Sequence, residues 1–262
     1  MTAPRDVVVH PDAEVLAAAT AARLLTALVD AQCHRSPVHL VLTGGTVGIK
    51  VLEHVAQSPV RAAVDWSGVH VWWGDERFLP DGHADRNETQ ARAALLDALG
   101  DELPAAHLHP MAPPSEATPT PEASAAAYAA ELAAFATPEG SGSSVPAFDV
   151  LLLGMGPDGH VASLFPGHPA LTVADASTVG VHGSPKPPPE RVSLTFEAIR
   201  RAREVWVVAA GAEKAAAVAS ALASAPVEVT PAAGALGTTR TLWLLDVAAT
   251  GALDLPESAP PA

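Results

Sequence analysis

The sequence predicts an α/β fold of Rossmann-like type, a mainly parallel sheet with helices on both faces. Three observations predict it. Short apolar runs such as Val38–Leu42 and Val150–Leu153 have strand length and read as buried strands. These runs alternate along the chain with longer stretches at helical spacing, the pattern of βαβ units. Three strand ends, at 43–46, 74–77 and 154–160, run into polar, glycine-containing turns. A parallel sheet collects such ends along one edge, where residues distant in sequence can share a crevice.

In chain order, Val7–His10 reads as the first strand. Pro11 and Asp12 then open a helix with Val15, Leu16, Leu24, Leu25 and Leu28 near helical spacing. Val38–Leu42 is the second strand; it ends in Thr43-Gly44-Gly45-Thr46, and a helix over Val47–Val55 follows. Trp66 falls in a connection, and Val69–Trp73 is a strand that runs into Gly74-Asp75-Glu76-Arg77. Residues 78–88 are polar and turn-rich, 88–99 suit a helix, and 104–121 are Pro-rich and read as surface loop. Residues 122–136 read as helix, with a flexible connection over TPEGSGSS behind them.

The central strand, Val150–Leu153, turns through Gly154, Gly156, Pro157, Asp158 and Gly159. His160 then stands at the head of a short helical stretch bounded by Pro166. Residues 168–190 read as ordered loop, Val205–Ala209 as strand, Gly211–Ala223 as helix and Thr241–Leu245 as the last strand. The expectation is one domain over residues 1–252 and a Pro-rich, frayed tail over 253–262.

At 262 residues and 48% hydrophobic, the chain can bury a substantial core. A net charge of −14 argues against nucleic acid or an anionic membrane as partner. Cys33 is alone, so no internal disulfide forms, which fits a reducing compartment. No run reaches the ~18 apolar residues of a membrane span, and the N-terminus lacks an apolar core of signal length. A soluble, cytoplasmic monomer is expected.

The residues able to do chemistry sit at the three strand ends. Gly44, Gly45 and Thr46, between a strand and a helix, let backbone amides approach an anion. The alternative is a tight turn with no ligand. Lys214, about three residues into the helix from Gly211, is disfavoured by the helix dipole, by ~0.3–1 kcal/mol, unless an anion such as phosphate offsets it; the alternative is an exposed lysine paired with Glu213 or solvent. Arg77 can hold a carboxylate or phosphate or stabilise an oxyanion, and one of the acids Asp75 and Glu76 can keep it in place. His160 is the candidate base, since an imidazole titrates near pH ~6.5, and Asp158 can orient its ring. Three other features mislead. Gly154-x-Gly156-x-x-Gly159 matches the dinucleotide fingerprint literally, but Pro166 leaves no room for its crossover helix. His107 and His109 lack further metal ligands, and Ser163 lacks a nucleophile elbow and reads as a cap or packing residue.

These residues are carried by five motifs: LTGGTVG at 42–48, WGDERFLP at 73–80 with Asn87 beyond it, LLLGMGPDGHVASLFPG at 151–167, PKPPPERVSLT at 185–195 and GAEKAAAV at 211–218. In this order they resemble the 6-phosphogluconolactonase family, within the sugar-phosphate isomerase/deaminase-like superfamily, over about residues 5–250. The resemblance implies hydrolysis of 6-phospho-D-glucono-1,5-lactone, with a sugar phosphate lactone as the only partner and no cofactor or metal. It makes His160 the general base, Asp158 its orienting group, Arg77 a substrate or charge-stabilising residue and Asp75 the support of Arg77. Gly44, Gly45, Thr46, Asn87, Lys214 and Arg191 form the substrate- and phosphate-binding set. The first motif departs from the family in ending Val47-Gly48 where Ser-Thr-Pro-like residues are common. Two alternatives stand beside this reading: a glucosamine-6-phosphate deaminase-like isomerase and a non-catalytic sugar-phosphate sensor. The deaminases' corresponding turn resembles G-H-I-A-F-N-E-P, whereas GHVASLFPG here lacks the acidic residue.

Overall fold

The computed structural model describes residues 4–136 and 144–253. The expected flexible connection, but for Ser144, and all of the expected tail beyond Leu253 lie outside them.

The strands are β1 (Arg5–His10), β2 (Val38–Leu42), β3 (Val69–Trp73), β4 (Asp75–Arg77), β5 (Leu108–His109), β6 (Val150–Gly154), β7 (Thr178–Val181), β8 (Arg191–Leu194), β9 (Glu204–Ala209) and β10 (Arg240–Asp246). Seven of them form one sheet in the order β1-β10-β9-β6-β2-β3-β5, and every pairing in it is parallel. From β2 the chain first moves outward to β3 and β5, then returns to lay β6 on the other side of β2. The strand order thus reverses between β2 and β6, and ligands of open α/β sheets bind at such a reversal.

Alternation along each strand divides the core in two. Leu40, Leu42, Val71, Trp73, Leu152, Trp206 and Leu244 face one side. There they meet α1 (Ala13–Gln32), α2 (Gly45–Gln57) and the helical run Asn87–Leu99. That run consists of α3 (Asn87–Ala91), a π-helical turn at Arg92–Leu96 and α4 (Asp97–Leu99). Val41, Trp72, Leu151, Leu153, Val207 and Trp243 face the other side, beneath α5 (Pro121–Ala134), α6 (Phe196–Ile199) and α7 (Ala215–Leu222). α1 begins where Asp12 accepts hydrogen bonds from the Glu14 and Val15 amides at 2.9 and 2.8 Å, an N-cap. Its buried stripe runs through Leu16, Leu24, Leu25 and Leu28, while Val15 is exposed. Among the described residues no helix is long and apolar enough to cross a membrane.

Four sequence expectations are corrected. The Pro-rich 104–121 stretch is not only loop, because Leu108 and His109 add a two-residue edge strand to β3. Residues 168–190 hold β7, and β4, β8 and β7 make a second, antiparallel sheet of three strands. Its strands are three or four residues long and bracketed by turn formers, too short for a period to show. No helix follows His160. Val161, Leu164 and Phe165 have the spacing of a helical face, yet isolated bridges join Met155 to Val161 and Val161 to Leu164, and all three side chains go into the core. The helix expected from Gly211 opens with a 3-10 turn at Ala212–Lys214, so Lys214 caps α7 rather than lying inside it.

Candidate active site

Three glycine turns, at the carboxyl ends of β2, β3 and β6, enclose a cleft of about 330 Å³. Gly44, Gly45, Thr46, Asp75, Arg77, Asn87, His160, Arg191 and Lys214 all line it. Asp158 stands just behind His160. Two turns are tied directly together, since the Gly154 amide donates to Thr43 Oγ1 at 3.0 Å. Gly48 supports the first turn: a Cβ there would come within 2.8 Å of the Thr43 carbonyl oxygen. The unusual Val47-Gly48 ending therefore lets α2 start close against β2, and Val47 gives the cleft an apolar wall where its side chain offers no hydroxyl.

The turn after β6 is built around the imidazole. The Gly156 amide donates to the His160 carbonyl at 3.0 Å and the Gly159 amide to the Gly156 carbonyl at 2.9 Å. Gly159 has φ +81°, and a Cβ on Gly156 would overlap the His160 ring and the Asp158 carboxylate. A side chain at 156 would have to push the imidazole or the carboxylate aside. The His160 Nδ1 lies 2.6 Å from Asp158 Oδ1. Burial alone would raise the Asp158 pKa, but the hydrogen bond and charge of His160, with Lys186 adding to them, outweigh it and hold the pKa at about 2. An ionised Asp158 only accepts, so Nδ1 carries a proton, and in the neutral ring Nε2 is the nitrogen with the lone pair. Nε2 has no hydrogen-bond partner among the described residues, and the ring is wedged 4.6 Å from Phe165.

Cationic groups surround this pair. Lys186 Nζ lies 3.9 Å from Asp158 Oδ1, and Lys214 Nζ 3.9 Å from Glu213 Oε1. Burial, and then repulsion from Lys186, lower the Lys214 pKa. Two lysines that repel across a cleft are a ready seat for an anion. Lys186 was missing from the expected site set. Its sequence signal is the PKPPPERVSLT motif at 185–195, and β8 explains its placement. Arg191 on β8 donates from Nε to the Pro188 carbonyl at 3.2 Å and from Nη2 to the Lys186 and Pro187 carbonyls at 3.2 and 3.0 Å. Arg191 is thus largely engaged in holding the loop that presents Lys186. Its Nη1 stands 3.9 Å from Asp75.

The charges after β3 divide their work differently from the expectation. Asp75 does not steady Arg77. Its Oδ2 accepts from Ser163 Oγ at 2.7 Å, and Asn87 Nδ2 donates to its carbonyl oxygen at 2.8 Å and to Oδ1 at 3.2 Å. Asp75 therefore joins the β3, β6 and α3 parts of the site, and Ser163 serves as a tie. The acid at Arg77 is Glu76, which is 1% exposed. Its Oε1 accepts from the Arg77 and Asn87 amides at 2.8 and 2.6 Å, and its Oε2 from the Glu88 amide at 2.9 Å. Burial pushes the Glu76 pKa up to about 7 against the opposing pull of Arg86 and these amides. The Arg77 side chain donates to the Asp85 carbonyl at 2.6 Å through Nη1, while its Nε is buried without a partner. Among the described residues no group of His, Cys, Asp and Glu could hold a metal ion.

A protein-family model described as glucosamine-6-phosphate isomerases/6-phosphogluconolactonase matches residues 11–243. A 6-phosphogluconolactonase of Streptomyces coelicolor is 56% identical over 261 residues, covering 97% of each chain. One from Mycobacterium leprae is 46% identical, covering 91% of this chain and 94% of its own. Among solved structures, 6-phosphogluconolactonase from Trypanosoma brucei superposes with a TM-score of 0.80 at 28% identity, over 97% of this chain and all of that one.

Proposed function

We propose that this chain, which belongs to the family of glucosamine-6-phosphate isomerases and 6-phosphogluconolactonase, hydrolyses 6-phospho-D-glucono-1,5-lactone to 6-phospho-D-gluconate, the lactone step of the oxidative pentose phosphate pathway. The identity to named lactonases along nearly the whole chain supports the reaction. One observation carries the mechanism: an imidazole pinned at Nδ1 by an ionised carboxylate, with Nε2 free in a cleft bordered by two lysines.

A δ-lactone is a reactive ester, so a water, one base and charge stabilisation suffice. Nε2 of His160 takes a proton from water as the water oxygen bonds to C1. The carbonyl oxygen becomes an oxyanion, and the guanidinium of Arg77, on the cleft wall, stabilises its charge. The tetrahedral intermediate collapses, the bond from C1 to the ring oxygen breaks, and Nε2 returns its proton to that oxygen. Asp158 holds the ring and the tautomer throughout. The Gly44–Thr46 amides, with Lys214 and Lys186, hold the phosphate and so set C1 against the base. Arg191 and Asp75 keep these pieces in register.

The deaminase alternative lacks support at the third turn, where no acidic residue follows His160 before Pro166. The sensor alternative leaves the bonded His160–Asp158 pair without a purpose. Freshly prepared lactone, with acid release followed above the spontaneous rate, tests all three. Turnover supports the lactonase, ammonia from glucosamine 6-phosphate the deaminase, and binding without turnover the sensor. We read the chain as a cytoplasmic monomer, a reading to which the lone, exposed Cys33 is suited; its mass in solution tests the second half.

A further inference from the structure

We infer that His182 is a positioning residue: it ties the loop that presents Lys186 to α5 and so sets where that lysine meets the substrate's phosphate. The inference rests on the lactonase reading, with Lys186 as a phosphate contact, and says what holds that contact in place.

The loop is the connection 182–190 between β7 and β8, closed where Val181 pairs with Arg191. Its Lys186 lines the cleft. Arg191 holds the tip and the returning limb, since its acceptors are the carbonyls of Lys186, Pro187 and Pro188. The Ser184 amide donates to the Pro189 carbonyl at 3.0 Å, but that bond stays within the loop. The outgoing limb is fastened to the rest of the protein at His182. Its Nε2 lies 2.5 Å from Glu122 Oε1, in the first turn of α5. Its Nδ1 lies 3.5 Å from Glu190 Oε1, at the other foot of the loop. The His182 carbonyl oxygen accepts from His168 Nε2 at 2.9 Å. That donor is fixed, because His168 Nδ1 already accepts from the Ala170 amide at 3.1 Å.

β7 comes close enough to α5 for this tie because residue 180 is glycine; a Cβ there would lie 2.7 Å from the Glu122 amide nitrogen. Burial works to raise the Glu122 pKa, but hydrogen bonds from its own amide and from His182 hold it lowered, so it stays an acceptor. A neutral imidazole has one N–H and could serve one of the two carboxylates, whereas an imidazolium donates to both. One side chain thus joins the start of the loop, its end and a helix outside the antiparallel sheet. Neither His182 nor Glu122 falls in the five motifs, so the tie lies outside the resemblance that implies the site. All three side chains are about half exposed, and exposed ion pairs are individually weak. The tie therefore tunes the placement of Lys186 rather than deciding whether the enzyme turns over.

The test is a double-mutant cycle on the full chain: wild type, His182→Ala, Lys186→Ala and both together, with KM and kcat measured on freshly prepared phosphorylated lactone. His182→Ala is expected to raise KM about three- to tenfold, with kcat within about twofold. Once Lys186 is absent, the same substitution should change KM by less than about 1.5-fold. Equal factors in the two backgrounds would make the effect independent of Lys186 and overturn the inference. So would an unchanged KM in either single variant. Should His182→Ala not fold, Glu122→Gln, which loosens the same tie from the other side, takes its place in the cycle with the same expected and overturning results. Wild type inert on the parent lactone would overturn the lactonase reading itself, a result seen before any variant is compared.

Discussion

His160 and His109 each place Nδ1 2.6 Å from a carboxylate oxygen, of Asp158 and Glu131 respectively. By that bond alone the two pairs are interchangeable. Their second nitrogens separate them. His160 leaves Nε2 open to the cleft, at the carboxyl end of β6. His109 gives its Nε2 to His70 Nδ1 at 2.8 Å, and its ring stacks on Trp72 at 3.8 Å. His107 stacks on His70 at 4.1 Å, and Trp72 donates to His39 Nδ1 at 3.1 Å. This second group packs near the amino-terminal ends of β2 and β3, away from the glycine turns. A histidine–carboxylate bond therefore does not make a base; an unengaged nitrogen facing substrate does.

Four experiments would break or sharpen that contrast. The largest effect belongs to His160→Ala. Loss of the general base should lower kcat by about 100- to 10,000-fold and leave KM within about tenfold. A steady-state rate close to wild type would end the assignment. Next comes Asp158→Asn, which removes the carboxylate fixing the tautomer. Turnover should fall by at least ~10-fold, less than for His160→Ala, with the fold retained by circular dichroism. An equal loss for a Glu131 variant would erase the distinction between the two pairs.

Lys214→Ala should raise KM by about tenfold or more through loss of a charge-assisted contact, with kcat little changed. Unphosphorylated gluconolactone, assayed in parallel, should not notice the substitution. The smallest effect on rate is expected for His109→Gln, within about twofold, and its consequence lies in stability instead. Burial first, and then neighbouring imidazoles, hold His39 at about 3 and His70 at about 4. The unfolded chain takes up protons there below about 6.5, and the native chain resists. The group's contribution is therefore complete above that pH and drains as pH falls toward 4 and then 3. Thermal melting of wild type across pH 7 to 4 should show a decline that His70→Asn makes shallower, and parallel curves would refute it.

The sequence made the parallel sheet legible because its strands are apolar and its turns are glycine-rich. β2 and β3 begin and end at the expected residues. The antiparallel sheet was hidden, since Thr178–Val181 and Arg191–Leu194 carry glycine, serine and arginine among their few residues. With that sheet went the reason for Lys186: Arg191, at the head of β8, holds the backbone of the loop that presents it. Glu76 was visible as a charge but not as an anchor, because a carboxylate collecting three backbone amides leaves no mark on composition. His107 and His109 were set aside as an incomplete metal set. Their stacking with His39 and His70 depends on strand register, with His39 opposite His70 and Trp72 opposite His109.

Gly156 makes no contact of its own with the chemistry, yet the pair beside it closes to bonding distance only because that position projects a bare hydrogen. One added methyl would act as a wedge driven from behind, prising imidazole from carboxylate while leaving both side chains present. The alignment of the base is guarded by an empty volume the size of a single carbon.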